Sequence, residues 1–171
     1  WNCLMNGNWF NFNQLYIDYL EDEVEDITLE DYEEKYDLNY ENYYSYLEEN
    51  DLSKKEMYRE KYYNIMREKD GFINFDRNME YLREYSLEKM DLYKEESLYF
   101  VKIGIPQKLS YVIDQSLNTV KLLQNNTSEI EIDNKVISPK NIYLWLILDR
   151  KSRINQLSEI NSLIFLTKLV E

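Results

Sequence analysis

The sequence predicts an α+β protein: an acidic, Tyr-rich helical N-terminal part over residues 1–97, then a small βαββα-type part with a sheet over residues 98–171. Three observations lead there. Apolar side chains recur at helical spacing through most of the first half, and short β-branched and continuous apolar runs appear in the second. Charge and tyrosine content change at the same place. From Trp1 to Ser97 there are 26 acidic and 11 basic residues, against 7 and 9 from Leu98 to Glu171, and 14 of the 17 tyrosines precede Leu98. A boundary near Glu96 to Leu98 follows. With 171 residues, the chain is one ordinary domain or two small ones, with room for a core.

In chain order, Gln14 to Val24 repeats Leu15, Tyr19 and Leu20 at helical spacing. Thr28 with Asp31, and Ser53 with Glu56, have the spacing of a capping box, in which hydroxyl and carboxylate each satisfy a free backbone amide, so helices are predicted to start at both. Tyr40 to Leu47 continues the style. After Ser53, the residues Met57, Tyr58, Lys61, Tyr62, Ile65 and Met66 keep the i, i+3, i+4 rhythm, and Asp70-Gly71 supplies a left-handed stop. Met79, Leu82, Leu87 and Met90 predict a further helix from Arg77 to Tyr93, which makes the first half a small bundle.

Leu98 to Ile103 predicts a strand ended by Gly104 and Pro106. A helix is expected from Gln107 to Gln124, with Leu109, Val112, Ile113, Leu117, Val120 and Leu123 on one face. Asn125 to Ser128 reads as a loop, and Ile130 to Ile137 as a hairpin turning at Asp133-Asn134. Asn141 to Leu148 is almost uninterruptedly apolar, as in a strand buried on both faces. An all-helical protein is the alternative, and it requires this run to be a buried helix. Asp149 to Arg153 forms a basic turn before helical spacing returns from Leu157 to Val170. The last stretch is too apolar for water and is expected to bury against the sheet, with a homodimer built at this end as the alternative. A start on Trp1 and a finish inside an apolar pattern read as a trimmed or partial chain.

Composition removes whole classes of chemistry. The chain has no histidine and one cysteine, which excludes His-based nucleophile machinery, an internal disulfide and a thiolate metal cluster. Cys3 reads as a small hydrophobe. Phe10, Phe12, Trp1 and Trp145 read as core or terminal packing. One glycine at Gly104-Ile105-Pro106 does not make a phosphate loop. No cofactor is expected. No run reaches the roughly 18 apolar residues of a spanning helix and no signal peptide is visible, so a cytoplasmic address is the default. Richness in Asn, Tyr, Lys, Ile and Glu points to an AT-rich genome, such as that of a low-GC bacterium or its phages.

A net charge of −13 argues against direct nucleic-acid binding through the acidic half, because phosphate contact relies on Lys and Arg. Eleven carboxylates against Lys35 alone lie between Asp18 and Asp37. Asp18, Glu21, Asp22, Glu23, Glu25, Asp26, Glu30, Asp31, Tyr32, Glu33 and Glu34 are therefore the expected partner-binding residues. Such a face could imitate the phosphate rows of a duplex and occupy the basic groove of a nucleic-acid-binding protein. Inhibitors of the anti-CRISPR and anti-restriction type share this character, so a non-enzymatic inhibitor in phage-host conflict is the leading expectation. Asp22, Glu23, Glu25 and Asp26 could instead hold a hard cation, though the order of an EF-hand loop is missing. Arg150, Lys151 and Arg153 form a basic patch that would bind phosphate or dock against an acidic half. The enzymatic alternative is a Mg²⁺-dependent nuclease or nucleotide-processing fragment of a bacterial defence protein, built on Asp114, Asp133 and Lys135.

Overall fold

The computed structural model describes residues 2–5, 7–30, 33–75, 90–125, 130–132 and 135–170. It opens with a hairpin of β1 (Asn2–Met5) and β2 (Asn8–Asn11), followed by α1 (Gln14–Glu25), a 3₁₀ turn at Glu34–Tyr36, α2 (Tyr40–Glu49) and α3 (Arg59–Glu68). Then come β3 (Ile73–Asn74), β4 (Leu92–Lys94), β5 (Ser97–Gly104), α4 (Pro106–Asn125), the hairpin β6 (Ile130–Ile132) and β7 (Lys135–Ile137), β8 (Asn141–Leu148), a 3₁₀ turn at Leu157–Glu159 and α5 (Leu163–Val170). Helices and a mixed four-stranded sheet make the fold α+β.

The main sheet has the order β3-β4-β5-β8. The first three strands form an antiparallel meander, and α4 carries the chain over to β8, which pairs parallel to β5 from Ser97↔Asn141 to Gly104↔Leu148. Strand β5 is covered on both faces. Leu98 and Phe100 join a core with Leu20 and Val24 of α1, Leu109, Val112 and Ile113 of α4, and Phe165 and Leu166 of α5. Val101 and Ile103 point the other way, into a second core with Leu92, Phe72 and Tyr63 of α3. A smaller cluster of Tyr43, Leu47, Met57 and Tyr62 joins α2 to α3. Alternation along one strand thus explains three layers: helices, sheet, helices.

Several expectations are corrected. The first-half helices do not pack as one bundle, because α1 lies against α5 while α3 covers the opposite face of the sheet. The predicted helix from Arg77 to Tyr93 cannot run to its end, because Leu92–Lys94 is a strand paired on both sides; residues 76–89 lie outside the described part. At its start the Asp91 carboxylate accepts from the Val101 amide at 2.7 Å, so a side chain does the work of the ladder. Thr28 starts no helix: residues 28–30 are irregular and Asp31 is outside the described residues. The Ser53–Glu56 box does form, with the Ser53 amide donating to Glu56 at 2.9 Å, but it caps a single turn and α3 begins only at Arg59. The Tyr43 hydroxyl takes the Met57 carbonyl at 2.8 Å, and Tyr58 is extended.

Among the described residues the strand at Asn141–Leu148 pairs with β5 alone and so stands at the edge of the sheet. Its apolar run is explained all the same, since Leu144, Leu146 and Leu148 face one core, and Trp145 and Ile147 the other. The open edge leaves each residue from 142 to 148 half-buried. The last helix packs on α4 and α1. Helical structure from 157 onward is interrupted, with Ser162 Oγ accepting from the Phe165 amide at the start of α5. The charge boundary at Ser97 and Leu98 falls at the start of β5, beside a turn at Glu95-Glu96 whose flanking strands pair across it.

Candidate partner-binding surface

Helix α1 is amphipathic in a way its sequence encodes. Asn13 caps it by accepting from the Tyr16 amide at 2.8 Å, and Ile17, Leu20 and Val24 turn into the core. At 100° per residue the opposite stripe is Leu15, Asp18, Tyr19, Asp22 and Asp26. Leu15 is 79% exposed and Tyr19 48%. Leu15, expected on the apolar face, is therefore part of the surface. Glu21, Glu23, Glu25, Glu30, Glu33 and Glu34 are exposed too, whereas Asp31 and Tyr32 lie outside the described residues.

The carboxylates have few partners. Gln14 donates to Asp18 at 2.7 Å, and Lys35 pairs with Glu33 at 2.6 Å. Among the described residues no basic side chain pairs with Glu21, Asp22, Glu23, Glu25 or Asp26. Neither does any group of three acidic side chains among them converge to hold a metal ion. Most of these acids crowd the C-terminal half of α1, where the helix dipole is negative and no basic residue offsets it. That placement costs stability.

Aromatic side chains extend the surface. Phe12 stacks on Tyr16 with ring centroids 5.3 Å apart, and Tyr16 contacts Tyr19 at 6.3 Å. In the β1–β2 hairpin Trp9 is 75% exposed and Phe10 is also exposed, so of core or terminal packing the core is excluded for Phe10. The signal for the hairpin was the Asn6-Gly7 pair between two short apolar runs; Gly7 has φ +79° and Met5 pairs with Asn8. Trp145, by contrast, packs against Tyr36, Tyr63 and Phe72.

The basic patch is divided. Arg150 donates to Ser152 at 2.9 Å, and Lys151 is exposed. Arg153 reaches Glu34 at 3.1 Å and Asp37 at 4.0 Å, so it meets the acidic segment of its own chain. Of the enzymatic alternative, Asp114 pairs with Lys168 of α5, Lys135 opens β7, and Asp133 lies outside the described residues. A second polar cluster joins the ends of β8 and α3: Arg59 donates to Asp149 at 2.9 Å, and Tyr40 donates to the same carboxylate at 3.1 Å. Hydrogen bonds from Arg59 and then Tyr40 hold the Asp149 carboxyl below its usual range. No helix among the described residues is long and apolar enough to cross a membrane.

Fold and surface together define an α+β protein with an acidic, aromatic-bearing helix face. The chain belongs to DUF6119, a family of unknown function, whose profile matches residues 2–164. Neither a curated protein nor a solved structure matches it.

Proposed function

We propose that the protein is a non-enzymatic interaction module that sits in the basic, nucleic-acid-binding surface of a protein partner and acts there as an inhibitor. The anti-CRISPR or anti-restriction type, carried by a mobile element of a low-GC bacterium and acting in the cytoplasm, is the specific form of this reading. The supporting observation is the outward face of α1. Six exposed carboxylates between Asp18 and Asp26, with Asp18, Asp22 and Asp26 on that stripe and Glu21, Glu23 and Glu25 on its flanks, lie over a rise of about 12 Å at ~1.5 Å per residue. That is a charge every ~2 Å, close to the ~1.7 Å per charge of duplex DNA. Leu15 and Tyr19 lie among them as apolar contact area, which plain solubilising charge does not need.

Capture on the immobilised protein from a low-GC bacterial lysate, at low and moderate salt, provides the test. The expected partner is a nucleic-acid-binding protein that duplex DNA displaces and that is lost as salt rises, because exposed charges are screened over about 8–10 Å. Reversal of Glu21, Asp22, Glu25 and Asp26 to Lys should abolish capture while the protein stays folded. Binding that survives both salt and reversal would refute the proposal.

A further inference from the structure

Away from the α1 face, a cavity of about 570 Å³ opens between the 3₁₀ turn at Glu34–Tyr36, the start of α2, the end of α3 and Arg153. Its unusual member is Arg67. This residue is 8% exposed, yet its Nη1 has no hydrogen-bond partner and its Nε only approaches the Asp70 carboxylate at 3.2 Å, outside hydrogen-bond geometry. The guanidinium stands 4.7 Å from the Tyr63 ring and 5.0 Å from the Tyr36 ring. Those rings are fixed in turn, as the Tyr63 hydroxyl donates to the Tyr36 carbonyl at 2.9 Å. A buried guanidinium with unused donors is costly unless something accepts from it.

The charges of the wall agree. Its carboxylates are already engaged: Glu34 and Asp37 by Arg153, and Asp70 by Arg67. Lys69 adds positive charge, Lys35 beside it being paired with Glu33, and the N-cap of α2, Asn39, brings the positive end of a helix dipole to the same wall. In a chain of net charge −13, this wall carries more cations than anions. Tyr62, Tyr63 and Met66 supply apolar surface, and the volume exceeds what a lone inorganic ion needs. The geometry points to a binding site for a small organic oxyanion, a carboxylate or phosphate on an aromatic or apolar body, received by the preorganised fork of Arg67.

Titration of the full chain at constant ionic strength with AMP, benzoate and inorganic phosphate, followed by ¹H–¹⁵N NMR, tests this. Saturable shifts confined to Asn39, Asn42, Met66, Arg67, Lys69 and Asp70 are expected with at least one organic probe, and the probe that binds tells phosphate from carboxylate. Inorganic phosphate should bind at least tenfold more weakly than the better organic probe. Arg67→Lys keeps the charge and removes the fork, so affinity should fall at least tenfold. No saturation by either organic probe, shifts spread over surface lysines such as Lys54 and Lys121, or unchanged affinity in a folded Arg67→Lys variant would each overturn the site. If that variant does not fold, the map on the natural chain decides. Reversal of the α1 carboxylates should leave the titration unchanged, so this site and the interaction surface fail independently.

Discussion

Tyr63 shows what the abundant tyrosines do at the scale of one residue. Its ring is buried against Phe72 and Val101 in the second core, and its hydroxyl is satisfied by a backbone carbonyl. Burial pushes this hydroxyl well above the ordinary tyrosine range, with the Arg67 charge opposing. Burial also raises Tyr43, Tyr62 and Tyr99. A raised acid of this kind keeps its proton in the folded state while the unfolded chain begins to lose its own near pH 10. The unfolded state then binds fewer protons, so unfolding becomes easier as pH rises. Unfolding free energy measured by urea should be level from pH 8 to about 10 and fall above it. Tyr63→Phe should fall less steeply; an equal slope would show that Tyr63 is not held neutral by the fold.

At the scale of elements, the β4–β5 turn and α5 make opposite cases. Glu95 and Glu96 both have positive φ, 49° and 59°, in a two-residue hairpin turn. Side chains with a Cβ are strained there, at roughly 1–2 kcal/mol per residue, and Asn-Gly is the pair that such a turn prefers. Changing Glu95 to Asn and Glu96 to Gly should therefore raise stability by about 1–2 kcal/mol, less what is lost with the Glu96–Lys140 ion pair at 2.8 Å. A lower denaturation midpoint would mean that the contacts of the Glu96 side chain outweigh the strain. Helix α5 contributes Phe165 and Leu166 to the core. Phe165 is fully buried among α1, α4 and the sheet, so Phe165→Ala should cost about 3–5 kcal/mol and Phe165→Asp should leave the chain unfolded. A folded Phe165→Asp variant of unchanged mass would mean that α5 is not core.

For the whole molecule, charge sets function against stability. The net charge of −13 makes the folded state repel itself, and the acids at the negative end of α1 add to this. Melting temperature should rise as sodium chloride goes from about 10 to 150 mM, because the Debye length contracts from about 30 to 8 Å. Glu23→Lys with Glu25→Lys should raise it further at low salt and flatten that dependence. A melting temperature indifferent to both would show that these carboxylates are balanced by contacts elsewhere.

Local signals carried far into this fold. Helical spacing in Gln14–Val24 and Tyr40–Leu47, the strand at Leu98–Ile103 and the long helix after Pro106 all depend on neighbours within a turn or two, and all are present in the structure. So does the acid content of α1, because charge at exposed positions is a property of composition. What lies between distant segments was not legible. Whether Leu92 and Tyr93 belong to a helix or a strand depends on pairing with Leu98–Tyr99 on one side and Ile73–Asn74 on the other, and an apolar pattern of that length suits either. Leu15 and Ile17 are alike in hydropathy, and only the packing of α1 against segments far along the chain decides which is covered. The Arg67 cavity is assembled from residues 34 to 153, with spacings that carry no periodicity. Sequence alone determined the local conformations and the charge, since both arise from nearby residues. Tertiary structure decided strand partners, the buried face and the cavity, since each requires segments far apart in the chain to meet.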